Sequence, residues 1–368
     1  MAVCRLCGLK GPTVSAKLGF CRACLAERFD RISREINQVH ERTRRPFGLP
    51  PAPPRDPEGL TCDRCANACR LAPGRVGYCG LRRNQDGQLV GGDPDSGRLS
   101  WYHDPLPTNC VADWVCPGGT GAGYPRFAYS PGPERSFVNL AVFYRACSFN
   151  CLYCQNWHYK EETLAGPPVT AAKLAEAVSP EASCICFFGG DPGPQLPHAL
   201  EAARLARLNN PGRILRICWE TNGSVSSRWL KEMIQISLDS GGCIKFDLKA
   251  WSPELHQALC GVSNQATLAN FRRAAAYIDQ RPDPPLLVAS TLLAPGYIDP
   301  DEVVRIAAFI AAVNPDIPYT LLGFYPHFFL DDLPTTSKSH ARQALQAAQA
   351  AGLTRVRLGN VHLLGKDY

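Results

Sequence analysis

Along the last two thirds of the chain, short apolar runs alternate with stretches whose apolar residues recur every three or four positions. SFVNLAVFY (136–144), SCICFF (183–188), RILRICW (213–219), CIKFDL (243–248), LLVASTLL (286–293), YTLLGF (319–324) and VRLG (356–359) have the length and composition of strands. LPHALEAARLARL, SRWLKEMIQISL, NQATLANFRRAAAYI and PDEVVRIAAFIAAV, lying between them, carry helical spacing. Strand and helix alternating in this way predict an α/β fold, a parallel sheet with helices outside it. Six or so units predict a parallel (β/α) barrel, partial or complete. A doubly wound sheet satisfies the same pattern.

The first third reads differently. Residues 1–45 hold two CxxC pairs followed by a charged stretch (AERFDRISREINQVHERTRR, 26–45) expected to be an exposed helix. PFGLPPAPPRDPEG (46–59) is a Pro-rich linker, too poor in N–H donors for a helix or central strand. Residues 60–135 are Cys-rich and loop-rich, and 136–368 form the expected barrel. These small Cys-rich modules therefore precede the barrel.

In parallel α/β folds the chemistry sits at the C-terminal ends of the strands. Each predicted strand here exits into polar or glycine-rich sequence: a cysteine cluster, then Gly189-Gly190-Asp191-Pro192, Glu220-Thr221-Asn222-Gly223, Asp247-Leu248-Lys249, Pro295-Gly296, Tyr325-Pro326-His327 and Asn360. All are expected to converge on one face.

Composition changes this picture in one respect. A hydrophobic share of 45% and a charged share of 20% are ordinary for a globular protein, and a net charge of +6 gives only a modest pull on acidic partners or nucleic acid. No apolar run reaches the roughly 18 residues of a membrane span, and the N-terminus lacks a signal-peptide core, so a cytoplasmic protein is expected. The outlier is cysteine, of which there are 18. Tight clusters of thiols in a long chain point to metal ligation rather than disulfides. They also suggest a protein that works where oxygen is scarce.

Cys147, Cys151 and Cys154 stand in CxxxCxxC spacing after the first predicted strand. Three thiolates from one tight loop can hold three corners of a cubane cluster and leave one iron open. A zinc site would instead seek a fourth ligand nearby, which His158 can offer. Cys4, Cys7, Cys21 and Cys24 form CxxC–x13–CxxC, the spacing of two facing knuckles around zinc or a rubredoxin-like iron, with zinc favoured. This segment reads as an appended zinc ribbon for a protein partner or nucleic acid. Cys62, Cys65, Cys69 and Cys79 also have four-ligand spacing, for zinc or an auxiliary iron–sulfur cluster. Cys110 and Cys116 lie in a loop as extra or alternative ligands. Cys184, Cys186, Cys218, Cys243 and Cys260 fall in apolar segments and are expected to be buried small hydrophobes.

CxxxCxxC with Tyr153 before its last cysteine resembles the signature of the radical S-adenosylmethionine (SAM) superfamily. Gln155-Asn156-Trp157 narrows the resemblance to the group related to pyruvate formate-lyase activating enzymes, and within it to the radical SAM member of the AmmeMemoRadiSam system. CDRCANACRLAPGRVGYCGLRRNQDG (62–87), STLLAPGYID and GLTRVRLGNV are similar to that subgroup as well. The resemblance implies a [4Fe–4S] cluster on Cys147, Cys151 and Cys154 whose open iron binds SAM. It implies reductive cleavage to a 5′-deoxyadenosyl radical that takes hydrogen from a substrate, with a reductant such as ferredoxin or flavodoxin. Gly189, Gly190 and Asp191 resemble the GGEP loop against SAM, with Asp in place of Glu. Glu220 and Asn222 resemble a D-T-N-G segment, and Asp247 and Lys249 a D-x-K pair near SAM. Tyr325 and His327 fall where related enzymes place a histidine close to substrate. Ser290 stands where glycyl-radical activases tend to carry Arg, which favours the other subgroup. Three functions remain open: a radical enzyme acting on a protein or peptide, one acting on RNA or a small molecule, and a non-catalytic zinc-binding scaffold.

Overall fold

The computed structural model describes all 368 residues. Its centre is one eight-stranded sheet: β1 (Leu99–Pro105), β2 (Val138–Tyr144), β3 (Ala182–Gly189), β4 (Arg216–Thr221), β5 (Ile244–Asp247), β6 (Leu287–Leu293), β7 (Tyr319–Gly323) and β8 (Val356–Gly359). The strands lie side by side in chain order, and every pair from β2 to β8 is parallel. A doubly wound sheet reverses its order at a switch point, whereas this one never does. The chain therefore winds in one sense and forms a partial barrel whose edges, β1 and β8, do not pair.

The helices follow the expected periodicity. Leu196–Leu208 and Pro300–Val313 form over the stretches read from sequence, and Ser227–Ser240 and Gln265–Ala275 lie within three residues of theirs. Asp299 starts one of them by accepting from the Glu302 N–H, and Pro300 fits the first turn because its missing N–H is not needed there. Alternate strand residues face the helices: Phe187 stacks on Trp219 at 4.7 Å, and the Trp219 indole donates to Ser237 Oγ at 3.0 Å. The other residues of β3 to β5 point into the barrel. No helix is long and apolar enough to cross a membrane.

Two expectations about organisation are corrected. First, the barrel sheet does not begin at 136. Leu99–Pro105, inside the loop-rich stretch, pairs antiparallel with Val138–Tyr144. Second, the N-terminal segment is not an appendage. Helix Phe29–Arg44 buries Ile32, Ile36, Val39, His40, Thr43 and Arg44, and so is not an exposed helix. The ribbon before it packs on the barrel. Tyr297 Oη accepts from the Ser15 N–H and donates to the Phe20 carbonyl, both at 3.0 Å, and Arg22 pairs with Asp299 at 2.7 Å. Gly296 is needed at this contact, because a Cβ there would lie 2.2 Å from the Thr13 carbonyl oxygen. The Pro-rich stretch is likewise held: the Arg44 Nε donates to the Pro50 carbonyl at 2.6 Å.

Candidate functional site

At the C-terminal ends of the strands lies a cavity of about 520 Å³, in the range of small-molecule sites. It gathers most of the residues expected at the strand exits; Pro295 and Gly296 lie outside it, because that turn packs against Thr13 of the N-terminal ribbon. Cys147, Cys151, Tyr153 and Cys154 come from the loop after β2. Gly189, Gly190 and Asp191 follow β3, Glu220 and Asn222 end β4, Asp247 and Lys249 end β5, and Tyr325 and His327 follow β7.

The close packing of the loops explains their residue types. Gly189 adopts φ +114°, and a Cβ on it would lie 2.5 Å from the Tyr144 nitrogen. A Cβ on Gly190 would lie 2.3 Å from the Ala146 carbonyl oxygen. With both side chains absent, the Gly190 and Asp191 N–H groups donate to the Tyr144 and Ala146 carbonyls at 2.8 Å. The glycine loop is thus laid along the start of the cysteine loop.

Asp191 is spent on ordering. Its carboxylate accepts from the Gly193 N–H (2.7 Å), the Asn222 N–H (2.7 Å) and Thr221 Oγ1 (3.0 Å). Burial pushes its pKa up to about 6, against the pull of these donors. Asn222 carries the link onward, its Nδ2 donating to Ser148 Oγ at 2.9 Å and to Cys147 Sγ at 3.7 Å. Asp247 pairs with Lys249 at 2.6 Å and accepts from Ser290 Oγ at 2.6 Å. Glu220 turns to Lys245 at 3.2 Å.

Below the cysteine loop, Asn150 is fully buried and acts as a hub. Its Nδ2 donates to His40 Nδ1 (2.8 Å) and Thr43 Oγ1 (2.9 Å), and its Oδ1 accepts from Lys160 Nζ (2.5 Å). His40 Nε2 donates to the Ala258 carbonyl at 3.0 Å. Burial lowers the His40 pKa to about 4 and the Lys160 pKa to about 8. Helix Phe29–Arg44 is thus hydrogen-bonded directly to the loop that carries Cys147, Cys151 and Cys154.

The donor set fits an iron–sulfur cluster. Three thiols line one wall of the cavity, with no imidazole or carboxylate interposed in the loop. His158 is exposed and stacks on Trp157 at 3.9 Å, outside the cavity lining. Burial pushes the Cys154 thiol up to about 11 and raises Cys147, so ligation must displace their protons.

Sequence reasoning missed Cys260. It is buried, as expected, but its Sγ lies 3.7 Å from Cys151 Sγ and 3.8 Å from Tyr153 Oη. No local pattern marks it. The chain fold brings it there by bonding the Asn150 and Leu152 N–H groups to the Cys260 and Leu259 carbonyls.

Residues 141–310 match the sequence profile of the radical SAM superfamily. The chain carries a radical SAM domain. An uncharacterized protein of Methanocaldococcus jannaschii is 22% identical over 316 residues, 83% of each chain. The pyruvate formate-lyase 1-activating enzyme of Escherichia coli is 30% identical over 145 residues, 37% of this chain and 54% of that enzyme. The match thus spans about half the length of that relative. A radical SAM methyltransferase from Sphaerobacter thermophilus has a TM-score of 0.45 at 14% identity, covering 91% of this chain and 93% of that one.

Outside this radical SAM domain, the ligand atoms of Cys4, Cys7, Cys21 and Cys24 all lie within 4.8 Å of one another, as four ligands of one metal ion require. Burial raises the Cys4 thiol, but backbone N–H groups of the two knuckles outweigh it and bring it down to about 6. Burial raises the thiols of Cys65, Cys69 and Cys79, and the neighbouring cysteines of the group add to that rise. They do not reach the mutual distances of the first group. Cys69 and Cys79 accept from the Tyr78 and Arg82 N–H groups at 3.5 Å.

Proposed function

We propose that the protein is a radical SAM enzyme that uses a [4Fe–4S] cluster on Cys147, Cys151 and Cys154 to act on a protein or peptide. When bound, the cluster supplies the electron that cleaves SAM to methionine and a 5′-deoxyadenosyl radical, the species that removes hydrogen from substrate. The observation that carries this reading is the convergence of the three thiols with the glycine loop, the Asn222 turn and the Asp247–Lys249 pair on one cavity.

The chain's own residues have separable tasks. Gly189 and Gly190 leave backbone exposed along one wall, where a ligand's amino group can approach. Asp191 and Asn222 fix that wall to the cysteine loop. Lys249 stays protonated: burial disfavours its charge, but Asp247 and Cys151 outweigh it. It therefore offers a cation to a carboxylate or to cluster thiolates. Tyr325 and His327 stand at the mouth with ring centroids 5.3 Å apart, Tyr325 being 50% exposed. They are placed to meet substrate rather than cofactor. Trp157 stacks on Phe328 at 5.5 Å beside them and extends an aromatic rim suited to a peptide. The name of the Escherichia coli relative, which activates another enzyme, supports a protein substrate. The docking of the ribbon on the barrel weakens its use as a free nucleic-acid module. Zinc at Cys4, Cys7, Cys21 and Cys24, and zinc or iron–sulfur at Cys62, Cys65, Cys69 and Cys79, belong to the same proposal.

The test is anaerobic reconstitution with iron and sulfide, then reduction in the presence of SAM. 5′-Deoxyadenosine is expected from the intact chain and not from the Cys147→Ala/Cys151→Ala/Cys154→Ala variant. Its absence from the intact chain, with no cluster bound, would favour a zinc-binding scaffold.

A further inference from the structure

The interior of a parallel barrel is ordinarily filled by branched aliphatic side chains. In this protein the inward positions of β3 and β4 and the entrance to β5 carry Cys184, Cys186, Cys218 and Cys243. Cys110 and Cys116, on the loop between β1 and β2, reach the same place. Six of the chain's cysteines thus line one chamber, of about 110 Å³. None belongs to the three cysteine groups described above. The chamber adjoins the main cavity, and Cys110 and Glu220 line both.

Cysteines filling a core as small hydrophobes have no use for charged neighbours, yet this chamber contains them. Lys245 on β5 is 2% exposed, and its Nζ donates to Cys110 Sγ and Cys186 Sγ, both at 3.1 Å. Its third partner is Glu220, 3.2 Å away. A lysine is almost never buried unless paired, and here two of its three partners are sulfur. Arg216 stands in the same chamber, paired with the fully buried Glu134 at 2.6 Å.

Buried soft sulfur donors gathered around a fixed cation suit a thiophilic metal. One ion is excluded by geometry. Only Cys4, Cys7, Cys21 and Cys24 have all their sulfurs within 4.8 Å, whereas the chamber's thiols are spread over three strands and a loop. Thiolates that bind separate irons of a cluster stand further apart than the ligands of a single ion, and N–H donors to sulfur and nearby cations stabilise such a cluster.

We propose that this chamber binds a second iron–sulfur cluster, held by thiolates drawn from Cys110, Cys116, Cys186 and Cys218, with Lys245 as its internal counter-cation. Each thiol loses its proton as its Fe–S bond forms, and iron and sulfide come from the medium or a carrier. Through Cys110 and Glu220 the cluster would border the main cavity.

The proposal does not depend on the function assigned to the main cavity, and it is tested where that site is disabled. In the Cys147→Ala/Cys151→Ala/Cys154→Ala background, iron and acid-labile sulfide per chain are measured after anaerobic reconstitution with ferrous iron and sulfide. Adding Cys186→Ser with Cys218→Ser is expected to remove about four irons and four sulfides. Adding Cys110→Ser alone, on a half-buried loop where folding is not at stake, is expected to lower both as well. Far-UV circular dichroism and N-terminal metal content serve as folding controls. If the serine double variant fails them, the Cys110→Ser arm decides. Unchanged iron and sulfide, or uptake of zinc alone by the chamber, would overturn the proposal. Retention of all iron in the triple-alanine background would contradict the functional reading and leave this one standing.

Discussion

At Cys4, Cys7, Cys21 and Cys24 four sulfurs face one another within 4.8 Å, whereas at Cys147, Cys151 and Cys154 three thiols line a cavity of about 520 Å³ shared with polar side chains from other strand ends. Four closed ligands leave a metal no free position, and three ligands on an open wall leave one. The first arrangement suits stability and the second chemistry. They are not independent, because helix Phe29–Arg44 runs from one to the other and delivers His40 and Thr43 to Asn150. The ribbon is therefore best understood as a brace for the cysteine loop.

Substitutions can separate the two. The largest effect is expected from Cys151→Ala, which should reduce 5′-deoxyadenosine formation by at least about 100-fold while leaving the metal content of the ribbon unchanged. Equal loss at both sites would mean that the two are not distinct. Next, Cys24→Ala should release the ribbon's metal and lower global stability by about 4 kcal/mol or more, read as a drop in melting temperature. A variant that melts like the parent would show the ribbon to be a loose attachment.

Asn150→Ala probes the joint itself. It leaves the buried Lys160 ammonium without its 2.5 Å acceptor and His40 without a donor, at a cost of about 3 kcal/mol. Iron occupancy at the cysteine loop should fall further than ribbon metal. The smallest effect is expected from pH. The His40 pKa is 6.5 when unfolded and about 4 in the buried site, so as pH falls below 6.5 the unfolded chain takes up the proton first. Stability is full above about pH 6.5 and declines progressively toward pH 4. His198 and His256, also held near 4 by burial, add to the same slope. Melting curves of His40→Gln should show a shallower decline, by a few degrees. An unchanged slope would remove His40 from the account.

Much of the barrel was legible because its strands and helices differ in period. The rule that chemistry lies at strand exits then placed thirteen residues in one cavity without reference to tertiary contacts. What escaped did so for identifiable reasons. β1 reads SWYHDP and is mostly exposed, so as an antiparallel edge strand it lacks the apolar continuity of a buried one. Helix Phe29–Arg44 contacts the barrel through only a few aliphatics, and its buried polar residues, His40, Thr43 and Arg44, look like surface until their partners are known. The thiols inside the barrel were read one by one as hydrophobes. Taken with the two-residue period of β3 to β5, Cys184, Cys186, Cys218, Cys243 and Lys245 share the inward face, and the lysine was the sign that this face is not simply apolar.

The most direct test of the central claim is 5′-deoxyadenosine production by the anaerobically reconstituted, reduced chain with SAM, set beside the Cys147→Ala/Cys151→Ala/Cys154→Ala variant. The account predicts product from the intact chain, none above background from the variant, and equal ribbon metal in both. Product from both, or from neither when the intact chain demonstrably holds its cluster, would contradict it.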